Sequence, residues 1–119
     1  MANNKNPNFD LEERTANFGE NVVLFCRKIP KDVITLPLIN QLVKAGTSVG
    51  ANYCEADDAE SKMDFKHKIG ICKKESRETK HFLRMIAVAA PALKGDARVL
   101  WQEAKEINLI FNKIYRSVK

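Results

Sequence analysis

Eight residues in the second half of the chain, Phe65, Ile69, Cys72, Ser76, Thr79, Leu83, Ile86 and Ala90, follow one another in alternating steps of four and three. An α-helix returns to the same face every 3.6 residues and a strand every two, so a small or apolar stripe of this length commits the segment to a helix with one face turned inward. A lone helix cannot bury such a stripe. The rest of the chain must supply matching faces.

It does so three times. The first repeat, Leu11, Thr15, Phe18, Val22, Phe25 and Ile29, starts after Asn8 or Asp10, either of which can cap it, and stops at Pro30. The second opens at Thr35, a candidate cap with Pro37 in the first turn, and runs through Ile39, Leu42, Gly46, Val49, Tyr53 and Ala56. Gly46 and Gly50 lie one turn apart, and each costs about 1 kcal/mol of helix propensity against Ala. Close approach of a neighbouring backbone is the expected compensation. The acidic stretch 57–61 contains cap-forming residues, with Ser61 and Asp64 spaced as a variant of the capping box, and it predicts a turn. The alternative is one long kinked helix over 35–90. The third helix is expected over 61–89, ending before Pro91, with Gly95 and Asp96 as turn and cap of the fourth. There Leu93, Ala97, Leu100, Ala104, Ile107, Phe111, Ile114 and Val118 repeat the stepping, and Trp101 and Tyr115 widen the face.

Amphipathic helices on short connections bury their stripes most economically side by side, and 119 residues suffice for one core. The expected fold is all-α, an antiparallel up-down-up-down four-helix bundle over 9–119, with the Asn-rich residues 1–8 as a flexible tail.

The same residues leave little room for catalysis. There is no Gly-rich phosphate loop, no G-x-S-x-G and no H-E-x-x-H. His67 and His81 lack ligand partners at metal spacing, and the Glu-x-x-His pair of carboxylate-bridged metal bundles occurs once, at Glu78 and His81, where two copies are needed. The expectation is a protein that is no enzyme, with no catalytic residue, metal, cofactor or small-molecule substrate. Cys26, Cys54 and Cys72 form no C-x-x-C and all fall on apolar faces, as buried thiols of a reducing compartment do. With no apolar run of about 18 residues and no apolar stretch near the amino end, a cytoplasmic protein without a membrane partner is expected.

Charge points outward to partners. The chain carries a formal +5, but residues 35–60 hold a net −3 and residues 61–90 a net +5. Lys66, Lys73, Arg77, Lys80 and Arg84 run one position after the third stripe and form a basic ridge, while Ile71, Glu75, Glu78 and Phe82 run one position before it. Lys44, Ser48, Asn52 and Glu55 make a similar row beside the second stripe. The ridge suits a solvated face, a nucleic-acid backbone, or an acidic surface such as the second helix of another copy. The polar rows suit contacts between helices or between subunits, because edge positions set partner choice in helical assemblies.

The runs QLVKAGTSVGANYCEA (41–56) and FKHKIGICKKESRETKHFLRMI (65–86) resemble a family of small bacterial four-helix bundles. It includes proteins encoded in intervening sequences of large-subunit ribosomal RNA genes and the accessory variability protein of diversity-generating retroelements. The resemblance implies a non-catalytic bundle assembling as a ring of five, with a basic surface associated in one branch with a reverse transcriptase and with RNA or DNA. It also implies that Lys44, Ser48, Asn52 and Glu55 match the family's polar row, and that Glu75, Glu78 and Thr79 match its K-E-S-x-E-T signature. Cys54, where a small residue is common, and Phe82, where Trp or Tyr is frequent, depart from the pattern.

Overall fold

A computed structural model describes residues 10–119, and over them the chain forms α1 (Leu11–Lys28), α2 (Thr35–Asp57), α3 (Lys62–Ala89) and α4 (Lys94–Ser117), with a turn of 3-10 helix at Pro91–Leu93 before α4. Each helix packs antiparallel on the next, and α1 closes on α4 through the thinnest of the four seams. The long dimension, 44 Å, is close to the length of the 28-residue α3 at 1.5 Å per residue. This is the four-helix bundle the periodicities predict. The tail assigned to residues 1–8 lies outside the described residues.

The stripes meet in one core. All six positions of the first stripe, from Leu11 to Ile29 just past α1, are buried, as are Leu42, Gly46, Val49, Tyr53 and Ala56 of α2, Ile69 to Ile86 of the α3 series, and Ala97 to Phe111 of the α4 series. Stripe ends such as Ile39, Phe65 and Ile114 stay half-buried where the bundle opens to solvent. Tyr53 and Phe111 cross the interior with ring centroids 5.9 Å apart. Buried hydroxyls turn back on their own helices, Thr15 to the Leu11 carbonyl, Ser76 to that of Cys72 and Thr79 to that of Glu75.

Glycine lets α1 and α2 approach closely. A Cβ at Gly50 would stand 3.3 Å from the Thr15 backbone oxygen, and one at Gly46 only 2.8 Å from Val22 Cγ1, a side chain and not the backbone expected there.

The turn at 58–61 is present, with Ser61 Oγ accepting from the Asp64 amide at 3.0 Å, so the single long helix over 35–90 does not form. Three local expectations are corrected. Asp32, not Thr35, caps α2: its carboxylate accepts from the Ile34 and Thr35 amides at 2.8 Å each, while Thr35 Oγ1 accepts from the Asp32 amide at 2.9 Å. Thr35 occupies the reciprocal place of a capping box, and the two backbone donors, Thr35 foremost, hold the Asp32 carboxyl below its usual range. Gly95 and Asp96 do not make the turn into α4. Pro91 ends α3, the Leu93 amide returns to the Ala90 carbonyl at 2.9 Å, and Gly95 and Asp96 already lie in the first turn of α4. Cys54 is exposed, because it falls one position past Tyr53 and outside the α2 stripe; Cys26 and Cys72 are buried as expected. Burial pushes the Cys26 thiol up to about 11 and that of Cys72 to about 12.

The α1–α4 seam is tied by charge. Arg14 forks onto both Glu103 oxygens at 2.8 and 2.9 Å and reaches Glu106 at 2.9 Å, and Lys28 meets Asp96 at 2.7 Å near the other end of α1.

Candidate nucleic-acid interface

Because α3 and α4 lie side by side, side chains one position off each core stripe converge along their shared edge. That edge carries the basic ridge of α3 and the two large aromatics of α4. Lys66 Nζ and Lys73 Nζ lie over the Tyr115 ring at 4.7 and 4.2 Å from its centroid, and Lys80 Nζ lies over Trp101 at 5.4 Å, with Lys105 of α4 at 5.7 Å. A cation over an aromatic face keeps its charge while its stem covers apolar surface, so these contacts place the ridge without neutralising it. Lys66 also donates to the Val118 carbonyl at 3.4 Å.

Between Lys73 and Lys80 the edge hollows into an open groove of about 740 Å³. Lys73, Lys74, Arg77, Lys80 and His81 line it with Gly70, Asn108 and Asn112, and among the described residues Glu78 is its one carboxylate. A buried amide sets the floor: Asn108 Nδ2 donates to the Lys73 carbonyl at 2.9 Å and to Ser76 Oγ at 3.0 Å, and Asn112 Nδ2 donates to Asn108 Oδ1 at 3.1 Å. These bonds fix the register of α4 against the stretch of α3 that bears the cations. Arg77 and Arg84 are exposed and have no acidic partner among the described residues. Arg84 does not line the groove; it stands at the rim of a second hollow further along the same edge.

The polar rows are dispersed. Glu55 pairs with Lys68 across α2 and α3. Ser48 donates to the Lys44 carbonyl at 2.6 Å and Asn52 to the Ser48 carbonyl at 2.9 Å, both within α2. Lys44 is exposed, and Glu75 and Glu78 are half-buried with no cation within ion-pair distance among the described residues. Burial first, and then the charge of Glu78, raises the Glu75 pKa. Of these six residues, Glu55 alone ties two helices of one chain.

Sequence reasoning found the five ridge cations but missed Lys74, Lys105, Asn108 and Asn112. A signal was present in Asn108 and Asn112, spaced i and i+4 just beside the α4 stripe, where an amide either faces water or bonds a neighbouring helix. Among the described residues no cluster of three or more His, Cys, Asp or Glu could hold a metal ion, and no helix is long and apolar enough to cross a membrane.

Fold and surface together define a small all-α bundle whose distinctive exterior is one cationic helix–helix edge. The chain belongs to the family of 23S rRNA-intervening sequence proteins, whose model matches residues 8–113. Among solved structures it is similar to a protein of unknown function from the S23 ribosomal protein family of Bacteroides thetaiotaomicron, at 24% identity and a TM-score of 0.80, over 90% of this chain and 99% of that one. At that identity the likeness concerns the fold. A comparison with curated proteins gave no match.

Proposed function

We propose that the protein is a non-enzymatic, homo-oligomeric bundle of the cytoplasm, a pentamer in line with its family resemblance, which presents the α3–α4 edge to RNA or DNA or to a nucleic-acid enzyme such as a reverse transcriptase. The observation that carries this reading is the convergence of Lys73, Lys74, Arg77 and Lys80 on one groove lined by a single described carboxylate. Such a surface attracts a phosphate backbone through counterion release, with an affinity that falls steeply with salt and depends little on sequence. The ridge from Lys66 to Arg84 spans about 27 Å at 1.5 Å per residue, long enough to follow several phosphates.

The test is a titration of labelled RNA and DNA from about 50 to about 200 mM salt. Binding whose logarithm falls linearly with log salt is expected, and the double substitution Lys73→Gln, Arg77→Gln should flatten the slope by about 2. Absence of binding at about 50 mM salt refutes the proposal. A second reading, a structural or protein-interaction adaptor that binds no nucleic acid, is favoured by the half-buried Glu75 and Glu78, which have no cation at ion-pair distance among the described residues of their own chain. Under it, changing Lys73, Arg77 and Lys80 to Glu alters partner pull-down and leaves nucleic-acid retention unchanged.

A further inference from the structure

Beyond Lys80 the α3–α4 edge changes character. A second open hollow, about 410 Å³, is lined by Leu83, Ala87, Ala97 and Trp101, with Arg84, Lys94, Arg98 and Gln102 around them. Among the described residues no carboxylate lines it. Its volume lies within the range of small-molecule clefts, roughly 300 to 1,000 Å³. The two hollows meet at Trp101: the residue lines the apolar one, Lys80, which lines the polar one, lies over its ring at 5.4 Å, and Lys105 lies over the same ring at 5.7 Å, a cation that an incoming base displaces or stacks beside.

We propose that this hollow is a stacking subsite for an unpaired base, so that the ligand of the α3–α4 edge is single-stranded nucleic acid. The inference rests on the nucleic-acid reading given above and specifies its ligand. A polyanion alone has no use for an apolar floor, and a duplex keeps the faces of its bases stacked inside and shows a protein only phosphates and groove edges. An unpaired base needs both features at once, a flat apolar surface for its ring and cations on either side for its flanking phosphates. The groove at Lys73, Lys74 and Arg77 takes the phosphates on one side of the base, and the rim cations Arg84, Lys94 and Arg98 take those on the other. Trp101 supplies the stacking face, with Lys80 at the junction.

Trp101 is the only tryptophan in the chain, so tryptophan emission reports on the junction of the two hollows. The experiment compares three probes at about 50 mM salt: a short oligothymidylate, an abasic strand of the same length, and a blunt duplex. The expected result is quenching of Trp101 by oligothymidylate only, with the abasic strand bound about ten-fold more weakly and without quenching. Trp101→Leu should weaken oligothymidylate about ten-fold, to the level of the abasic strand, with the mass of the assembly unchanged. Arg98→Gln, at an exposed position, should weaken oligothymidylate two- to three-fold and keeps the question answerable if the Trp101 variant fails to fold. Equal binding of all three probes without quenching overturns the base subsite and leaves the phosphate-binding edge standing. Failure of every probe to bind overturns both. A Trp101→Leu protein that keeps its helical ellipticity but changes its assembly mass overturns the subsite as well, because the hollow then serves contact between copies of the chain.

Discussion

Replacing Gly46 by Ala sets two effects of similar size against each other, and the geometry decides between them. Alanine gains about 1 kcal/mol of helix propensity over glycine in a helix interior. Against that, the new methyl would stand 2.8, 2.9 and 3.1 Å from Cγ1, Cγ2 and Cβ of Val22. Three atoms of one side chain crowd the same point, so rotation about χ1 exchanges one clash for another. Val22 is fully buried and β-branched, with one strongly preferred rotamer in a helix. Overpacking of this kind costs about 1 to 3 kcal/mol. Gly46→Ala should therefore bring no net gain and destabilise by up to about 2 kcal/mol, lowering Tm by up to several degrees for a domain of this size. The measurement is urea unfolding followed by circular dichroism at fixed protein concentration, because an assembly makes stability concentration-dependent. Val22→Ala alone leaves a cavity and costs about 2 kcal/mol. In the double variant the methyl added at position 46 enters that cavity, so the combined loss should fall short of the sum by about 1 kcal/mol or more. Gly95→Ala is the control: no described atom lies within 4 Å of its added methyl, and stability should hold or rise. A Gly46→Ala protein more stable than the parent by the full propensity gain would refute the reasoning.

Three further outcomes are expected. Asn108→Ala removes the amide joining the Lys73 carbonyl and Ser76 Oγ to α4 and should cost about 1 to 3 kcal/mol in urea unfolding, with faster hydrogen exchange in α4 near the groove. Arg14→Ala opens the fork to Glu103 and should cost about 1 kcal/mol or less in low salt and still less in high salt, speeding exchange in α1 before the other helices. In the folded protein a soluble disulfide reagent should titrate Cys54 quickly and Cys26 and Cys72 only on unfolding; the buried pair also makes stability fall with alkali, because the unfolded chain ionises these thiols near their ordinary value of 9.0 while the folded chain holds them neutral to about 11 and about 12. That loss, about 1 kcal/mol per thiol by pH 10, is checked by urea titrations at pH 8 and 10 and should disappear in Cys26→Ala, Cys72→Ala.

The bundle was legible because its signal is periodic and repeated: Leu11 to Ile29, Leu42 to Ala56, Ile69 to Ile86 and Ala97 to Phe111 all turn inward where a 3.6-residue period puts them. The connections were less legible. Asp32 and Thr35 can each cap a helix, and only the fold of the preceding turn decides which one does. Pro91 and Gly95 both punctuate the chain, and the break came at proline, which constrains the residue before it, while glycine merely permits a turn. Of the candidate interface, the α3 cations were visible as a row on one helix. Their partners on α4 were not, since whether Lys80 meets Trp101, or Asn108 meets Lys73, depends on the relative rotation and offset of two helices, which neither stripe specifies alone. Glu75 and Glu78 illustrate the same gap: their edge positions are plain in the sequence, but that Glu78 joins the lysine groove and Glu75 does not depends on how α3 is rotated against its neighbours.

The ionic latch between α1 and α4 bears on how any salt titration of this protein is interpreted. Arg14 with Glu103 and Glu106, and Lys28 with Asp96, are partly or largely open to water, so the dissolved ions used to test the proposed polyanion binding also weaken the clasp holding the first helix shut. Under that proposal two curves are superimposed, one for ligand release and one for breathing of the bundle wall. Ellipticity recorded beside each binding point separates them, and only the part of the slope that survives this correction counts phosphates.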